Sequence, residues 1–129
     1  MENCSIRFWN RISRDYDISV YEKYRSTYDE TIRLALNYLR PGDTALDLGC
    51  GTGSNADRLV RMGLPFREYF GADLSEHMLE AARKKHPNRP NMHFESMRLD
   101  KDELPEGEYD LVLSTWVFSH LQEPERLVE

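Results

Sequence analysis

Three glycines alternate with small residues directly after an apolar run that contains an aspartate. The stretch is "ALDLGCGTGS", residues 45–54, in which Asp47 precedes Gly49, Gly51 and Gly53. Glycine lets a backbone turn sharply and lets a ligand approach without a Cβ in the way. A helix that follows such a turn presents free amide groups and the positive end of its dipole. These residue types in this order predict a site for a nucleotide-like ligand.

A second aspartate stands at the distance that such a site requires. Asp73 follows Asp47 by 26 residues, at the end of the next predicted strand, where a carboxylate can accept hydrogen bonds from two ribose hydroxyls. The dinucleotide fingerprint is G-x-G-x-x-G, but Ser54 stands where its last glycine would fall. Asp47 would also repel a pyrophosphate and attract a cation. A ligand with an adenosine end and a positively charged end therefore fits better than a dinucleotide.

The hydrophobic pattern predicts the elements that position these residues. A helix is expected in "YDETIRLALNYLRPGD", where Pro41 and Gly42 end it, and "IRFWNRISRDYDISVYEKY" suits a shorter helix before it. Ser75 is a plausible N-cap for a later helix. Strands are expected at "TALDLG", "REYFGADLS", "NMHFESM" and "YDLVLSTWVF", and further helices at "SNADRLVRMGL", "SEHMLEAARKKHP" and "PERLVE".

Alternating strands and helices predict an α/β fold with a Rossmann-like, doubly wound, mostly parallel sheet and helices on both faces. We expect one domain over residues 1–129, with an N-terminal helical segment at 1–40 and a cofactor-binding α/β core at 41–129. Ligands of such sheets bind at the carboxyl ends of the strands. Asp47, Asp73 and Ser114 all fall at predicted carboxyl ends, which supports a site there.

Composition excludes some classes of partner. The chain has 17 Lys and Arg against 23 Asp and Glu, a net charge of −6, which argues against a nucleic-acid protein. Neither a membrane span nor the apolar stretch of a signal peptide is found, so no membrane partner is expected. Cys4 and Cys50 lack metal-ligand spacing and are too few for a disulfide framework. We therefore expect a reduced, cytoplasmic protein without a metal.

Three segments resemble class I S-adenosylmethionine-dependent methyltransferases of the small-molecule type. "LDLGCGTG" resembles the glycine-rich first motif of the family, "GADLSEHMLEAAR" the second, and "YDLVLSTWVFSHLQEPERLV" the segment around the fourth strand. The resemblance runs from about residue 30 to the C-terminus. It implies a Rossmann-like fold, S-adenosyl-L-methionine as cofactor, S-adenosyl-L-homocysteine as product and methyl transfer to a small-molecule acceptor.

The resemblance also implies roles for single residues of the cofactor site. Asp47 would hold the methionine ammonium, Asp73 the ribose hydroxyls, and Leu74 would lie against the adenine with Met78 nearby. The loop glycines would let the backbone pass under the cofactor, with Cys50 lying between them. Further cofactor contacts would come from Tyr16 in the N-terminal segment, Asp100 at the adenine amino group, and Ser114 and Thr115 at the methionine end.

Two residues after the fourth strand are candidates for the methyl-transfer site itself. Trp116 would lie close to that site, although with Phe118 it could equally belong to the core. His120 falls where several relatives keep an active-site residue, although a lone histidine near a helix start is as often a cap or a surface group. No general base is assigned.

Two other functions stay open at this point. A dinucleotide-dependent oxidoreductase is disfavoured by Ser54 and Asp47. A non-catalytic cofactor-binding module, or half of an assembly completed by another chain, is the stronger alternative. The family's sheet continues through a fifth strand and a C-terminal hairpin, whereas this predicted sheet ends at the fourth strand, whose edge neither lysine nor proline protects. A homodimer or a completing chain at that edge is therefore expected.

Overall fold

The computed structural model of the chain describes residues 4–13, 23–63, 66–99, 101–102, 106–115, 117, 121 and 125. Four helices and four strands lie in this part of the chain. In chain order they are α1 (Cys4–Ile12), α2 (Arg25–Ala35), β1 (Asp43–Leu48), α3 (Ser54–Arg61), β2 (Phe66–Asp73), α4 (Glu76–Lys85), β3 (Met92–Ser96) and β4 (Leu111–Ser114).

The four strands form one parallel sheet in the order β3-β2-β1-β4. β1 is central, and every residue of it after Asp43 is buried, as expected for a parallel strand covered on both faces. In the register of the sheet, Asp47 lies opposite Gly71 of β2 and Leu113 of β4. Because all strands run the same way, their carboxyl ends meet at one edge. The predicted Rossmann-like parallel sheet is confirmed.

Helices α2, α3 and α4 bury their apolar side chains against the same face of the sheet, around Tyr69 of β2. This cluster includes Ile32, Ala35, Ala45, Ala56, Leu59, Leu79, Ala82, Phe94 and Leu113. The other face carries a second cluster made of strand and loop residues: Leu46, Leu48, Ala72 and Leu99, with Phe70, Met97, Tyr109, Val117 and Leu121 packed against them. The last predicted helix, at 124–129, lies outside the described residues apart from Glu125.

Two predicted elements are shorter than their patterns suggested. α2 ends at Ala35, and the next residues make tight turns in which Asn37 and Tyr38 donate to the carbonyls three residues earlier. β4 covers four residues, fewer than the predicted strand, and Asp110 just before it forms two hydrogen bonds with Thr44 of β1. The Asp110 carboxylate accepts from the amide of Thr44 at 2.8 Å, and the Asp110 amide donates to the Thr44 carbonyl at 2.9 Å.

Side-chain contacts also hold the helices to one another. Arg58 of α3 donates to the Asp29 carboxylate of α2 at 2.7 Å, with the arginine side chain only 10% exposed. Asn10 of α1 accepts from the Ser75 hydroxyl just before α4 at 2.5 Å. None of the helices in the described ranges is long and apolar enough to span a membrane.

Candidate functional site

The glycine loop, residues 49–53, joins β1 to α3 at the carboxyl edge of the sheet. Gly49, Gly51 and Gly53 have φ angles of +76°, +55° and +84°, a region in which other residues are strained. The amides of Gly49 and Cys50 both donate to the carbonyl of Ala72, at 2.7 and 3.0 Å. The loop is therefore fixed to the end of β2.

The three loop glycines differ in what surrounds them. A Cβ on Gly49 would overlap the Cγ2 of Val117, and one on Gly53 would lie 3.2 Å from the Cβ of Ala82 in α4. A Cβ on Gly51 would meet no atom of the described residues within 4 Å. Gly49 and Gly53 are therefore required by packing within the protein, whereas Gly51 leaves one side of the loop open to a ligand.

Asp73 links the glycine loop to the start of α4. One carboxylate oxygen accepts from the amide of Gly51 at 2.9 Å, and the other accepts from the amide of Ser75 at 2.9 Å. Burial raises the pKa of Asp73, while the backbone amides of Ser75, Gly51 and Leu74 act in the opposite direction. Each carboxylate oxygen has two lone pairs. The carboxylate is thus held in place and still able to accept from a bound molecule.

Ser75 begins α4 as the sequence predicted. Its hydroxyl oxygen accepts from the amide of Met78 at 3.2 Å, which satisfies one of the free donors of the first helical turn. The same hydroxyl donates to Asn10, so α1 lies beside this edge of the sheet. The N-terminal segment is thereby brought to the site.

Asp47 lies beneath the glycine loop with no exposed surface. Its carboxylate accepts from the Tyr69 hydroxyl at 2.7 Å and from the Asn55 side-chain amide at 3.4 Å. Burial raises the pKa of Asp47 to about 6; the Tyr69 and Asn55 hydrogen bonds lower it, and the charge of Asp73 raises it further. Burial and the charge of Asp47 raise the pKa of Tyr69 well above its ordinary value, so its hydroxyl remains a donor.

Asn55 connects Asp47 with the end of β4. Its side-chain amide also donates to the hydroxyl of Thr115 at 3.2 Å, and both residues are buried. The Oδ1 of Asn55 and the hydroxyl of Ser114 are buried without a hydrogen-bond partner among the described residues. A buried polar atom of this kind is costly unless something pairs with it. Acceptors therefore cluster under the loop, which suits a ligand that carries an ammonium group.

The remaining predicted cofactor residues near this edge differ in how much of each side chain is exposed. Leu74 is half-buried and follows Asp73, whereas Met78 is 1% exposed. Cys50 turns its thiol inward toward Gly71, and burial raises the pKa of this thiol well above its ordinary value. A reactive thiolate is thus disfavoured. The predictions for Tyr16, Asp100, Trp116 and His120 fall outside the described residues.

Three residues of the site were not recognised from the sequence. Gly71 of β2 has no unusual φ angle, but a Cβ there would lie 2.8 Å from the Cys50 sulfur and 3.0 Å from Phe94. A glycine inside a strand signals a close approach of this kind. Tyr69 and Asn55 carry no sequence signal of their own, because their role depends on where Asp47 lies.

Comparison with known proteins identifies the class of protein. The family described as "Methyltransferase domain" matches residues 45–129, and the chain belongs to this family. An uncharacterized methyltransferase of Anoxybacillus flavithermus is 31% identical over 121 residues, which cover 88% of this chain and 53% of the relative. The resemblance seen in the sequence is confirmed.

Solved structures agree with the fold and the cofactor. An S-adenosylmethionine-dependent methyltransferase from Mesorhizobium loti is 31% identical, with a TM-score of 0.63 over 76% of this chain and 43% of that one. The complex of the Haloferax volcanii Trm112 methyltransferase activator with a methyltransferase has 23% identity and a TM-score of 0.73, covering 93% of this chain and 52% of that one. Other similar structures contain S-adenosylhomocysteine. The cofactor of this domain is S-adenosylmethionine.

The chain spans about half the length of these relatives or less. Similar proteins include methyltransferases that are named for protein substrates and others that are named for small molecules.

Proposed function

We propose that this chain binds S-adenosylmethionine at the edge formed by the glycine loop, Asp73 and the end of β4, and transfers its methyl group to a small-molecule acceptor. The observation that carries the proposal is the pairing of Asp73 with Gly51. The carboxylate is held by the Gly51 amide at 2.9 Å, and Gly51 is the loop glycine beside which the described residues leave space. This pairing puts an acceptor for ribose hydroxyls next to a backbone that a ligand can approach.

Asp73 and Leu74 would bind the adenosine half of the cofactor. Both Asp73 oxygens already accept one backbone amide, so their positions do not depend on the ligand. The second lone pair of each oxygen can accept a ribose hydroxyl. Leu74 is half-buried, so part of its side chain is available to an adenine ring.

Asp47 would favour the charged half of the cofactor through its negative charge. The side chain has no exposed surface and already accepts from Tyr69 and Asn55. Its role is therefore to place an anion under the loop, close to where an ammonium and a sulfonium would lie. Charges in a poorly hydrated site interact more strongly than charges in water.

Alignment is the main task that remains for the protein. When bound, the cofactor supplies a methyl group already activated by a positive sulfur. Ser114 ends β4 and Thr115 follows it, beside the loop, where they would position the methionine end and the acceptor. Holding the acceptor in line with the methyl group and excluding water are the contributions expected of the chain. We propose Trp116 and His120, which follow directly in the sequence, for the acceptor side.

We also propose that β4 recruits a further strand, from a second copy of the chain or from a separate polypeptide. β4 is an edge of the sheet formed by the described residues, and Val112 in it is 55% exposed. An exposed apolar edge strand tends to pair with another chain. The Haloferax volcanii structure, in which a methyltransferase is bound to an activator, supports a completing partner. Sedimentation at micromolar concentration tests this point, and a clean monomer with protected β4 amides would contradict it.

Calorimetry with S-adenosylhomocysteine tests the cofactor site directly. Replacing Asp73 with alanine removes the ribose acceptor and should weaken binding by about 1.5–3 kcal/mol, roughly ten- to hundredfold. Asp110→Ala is the matched control, because Asp110 also holds a backbone amide but lies at the opposite edge of the sheet. It should lower stability and leave the affinity unchanged. An equal loss of affinity in both variants would show that Asp73 only supports the fold.

A further inference from the structure

Two contacts attach the residues just after β4 to the glycine loop and to the first turn of α3. The first is the hydrogen bond of 3.2 Å from the Asn55 side-chain amide to the Thr115 hydroxyl. The second is steric, because Val117 packs against the face of Gly49 where a side chain would otherwise stand. Together the contacts join Thr115 and Val117, after β4, to the glycine loop that would pass under the cofactor and to the helix that follows it.

Asn55 is the residue on which this attachment depends. It lies in the first turn of α3, is 3% exposed, and has one amide nitrogen with two hydrogens. The nitrogen donates to the Asp47 carboxylate of β1 at 3.4 Å and to the Thr115 hydroxyl at 3.2 Å. The side chain therefore uses both of its donor hydrogens to connect α3 with Asp47 of β1 and with Thr115, the residue after β4. Tyr69 holds the other oxygen of Asp47 and so prevents the carboxylate from turning away.

We propose that Asn55 is a positioning residue that sets the end of β4 relative to the glycine loop, so that cofactor binding also orders the acceptor side. This inference rests on the proposed function, because it assigns the coupling between the two halves of that site. Asn55 acts through Thr115 and need not touch the cofactor. The contact with Asp47 makes the bridge responsive to what binds above that carboxylate.

Thr115→Val tests the bridge, with Thr115→Ser as the matched control. Valine keeps the shape and removes the hydroxyl that accepts from Asn55, whereas serine keeps the hydroxyl. In the ligand-free chain, the backbone amides of residues 112–115 should exchange about five- to tenfold faster in Thr115→Val than in the parent. S-adenosylhomocysteine should bind about five- to tenfold more weakly to the same variant. Thr115→Ser keeps the hydroxyl that accepts from Asn55, so its exchange rates at residues 112–115 should stay within about twofold of those of the parent.

A double variant separates positioning from general stability. If Asn55 acts through Thr115, the double variant Asn55→Ala/Thr115→Val should bind S-adenosylhomocysteine no more weakly than the single variant Asn55→Ala. Additive losses would overturn the proposal, and so would equal exchange rates in Thr115→Val and Thr115→Ser.

The exchange measurement also separates this proposal from the proposed function. If the parent binds no S-adenosylhomocysteine, the proposed function fails and the coupling fails with it. The ligand-free exchange rates then still confirm or refute the bridge between Asn55 and Thr115. If the parent binds and the valine variant binds equally well, only the positioning role is refuted.

Discussion

Replacing Asp47 with asparagine should make the fold more stable and cofactor binding weaker. Burial raises the pKa of Asp47 from 3.8 to about 6. One pKa unit corresponds to about 1.4 kcal/mol, so ionisation inside the protein costs about 3 kcal/mol relative to the unfolded chain. Asparagine keeps the shape and removes the charge, but its single side-chain oxygen can accept from only one of Tyr69 and Asn55, which offsets part of the gain. We expect the free energy of unfolding at pH 8 to rise by about 1–3 kcal/mol.

The stability gained by Asp47→Asn should be smaller in acid, so the pH dependence of the free energy of unfolding tests the prediction a second time. Because the pKa of Asp47 is raised in the folded protein, the stability that the protonated group contributes is complete below about pH 4 and is lost as the pH rises through about 6. At pH 5 about half of the cost of ionisation is present. Urea unfolding followed by circular dichroism at pH 5 and pH 8 measures both values. Calorimetry at pH 8 should show at least about tenfold weaker binding of S-adenosylmethionine, a loss of about 1.4 kcal/mol or more.

Tyr69→Phe is the control with the opposite sign. It removes the hydroxyl that donates to the Asp47 carboxylate at 2.7 Å, so the charge becomes more costly to bury. Tyr69→Phe should lower the free energy of unfolding more at pH 8 than at pH 5. In the Asp47→Asn background the same substitution should lower it much less. Equal unfolding free energies of the parent and Asp47→Asn at pH 8 would refute the argument from burial. Unchanged affinity would show that Asp47 only supports the loop.

Two further predictions concern the loop and the far end of α4. Gly51→Ala and Gly63→Ala both put a methyl group at a positive φ angle, +55° and +66°. In the described part of the chain neither methyl group would lie within 4 Å of another atom, so each substitution should cost about 1 kcal/mol of stability. Only Gly51→Ala should also weaken S-adenosylhomocysteine binding, by at least about tenfold; equal affinities in calorimetry would mean that the ligand does not approach Gly51. Burial lowers the pKa of His86, whose side chain is 3% exposed and stacks on Phe94, so the unfolded chain takes up its proton more readily. The parent should therefore lose stability relative to His86→Phe as the pH falls through 6.5 in thermal melts, and parallel pH profiles would contradict this.

Much of the architecture followed from patterns that act over short distances. Ser75 was recognised as an N-cap because its position before a helical pattern is a local property, and the structure shows the expected bond to Met78. The parallel sheet followed from the alternation of strands and helices and from the family resemblance. The early end of α2 was missed because residues 36–38 keep a helical apolar pattern while their backbone turns more tightly. Leu39 is nevertheless buried, as its hydrophobicity suggests.

The interior of the site was predictable only in part. Asp47 and Asp73 stood out because carboxylates at strand ends are unusual, and both lie at the carboxyl edge. Their partners could not be found in the same way. Tyr69 reaches Asp47 because Tyr69 pairs with Ala45 in the sheet, two residue pairs before Asp47 pairs with Gly71. Register of this kind comes from the packing of the whole sheet.

The central position of β1 has a consequence for the order in which the chain assembles. β1 pairs with β2 through residues about 24 positions apart, such as Ala45 with Tyr69, and with β4 through residues 66 positions apart, such as Ala45 with Leu111. The entropy of closing a loop grows with the logarithm of its length, so the second pairing costs about 0.9 kcal/mol more than the first. During synthesis β2 also leaves the ribosome well before β4. The half of the edge that holds Asp73 and the glycine loop is therefore expected to form first, as a surface onto which β4 docks later.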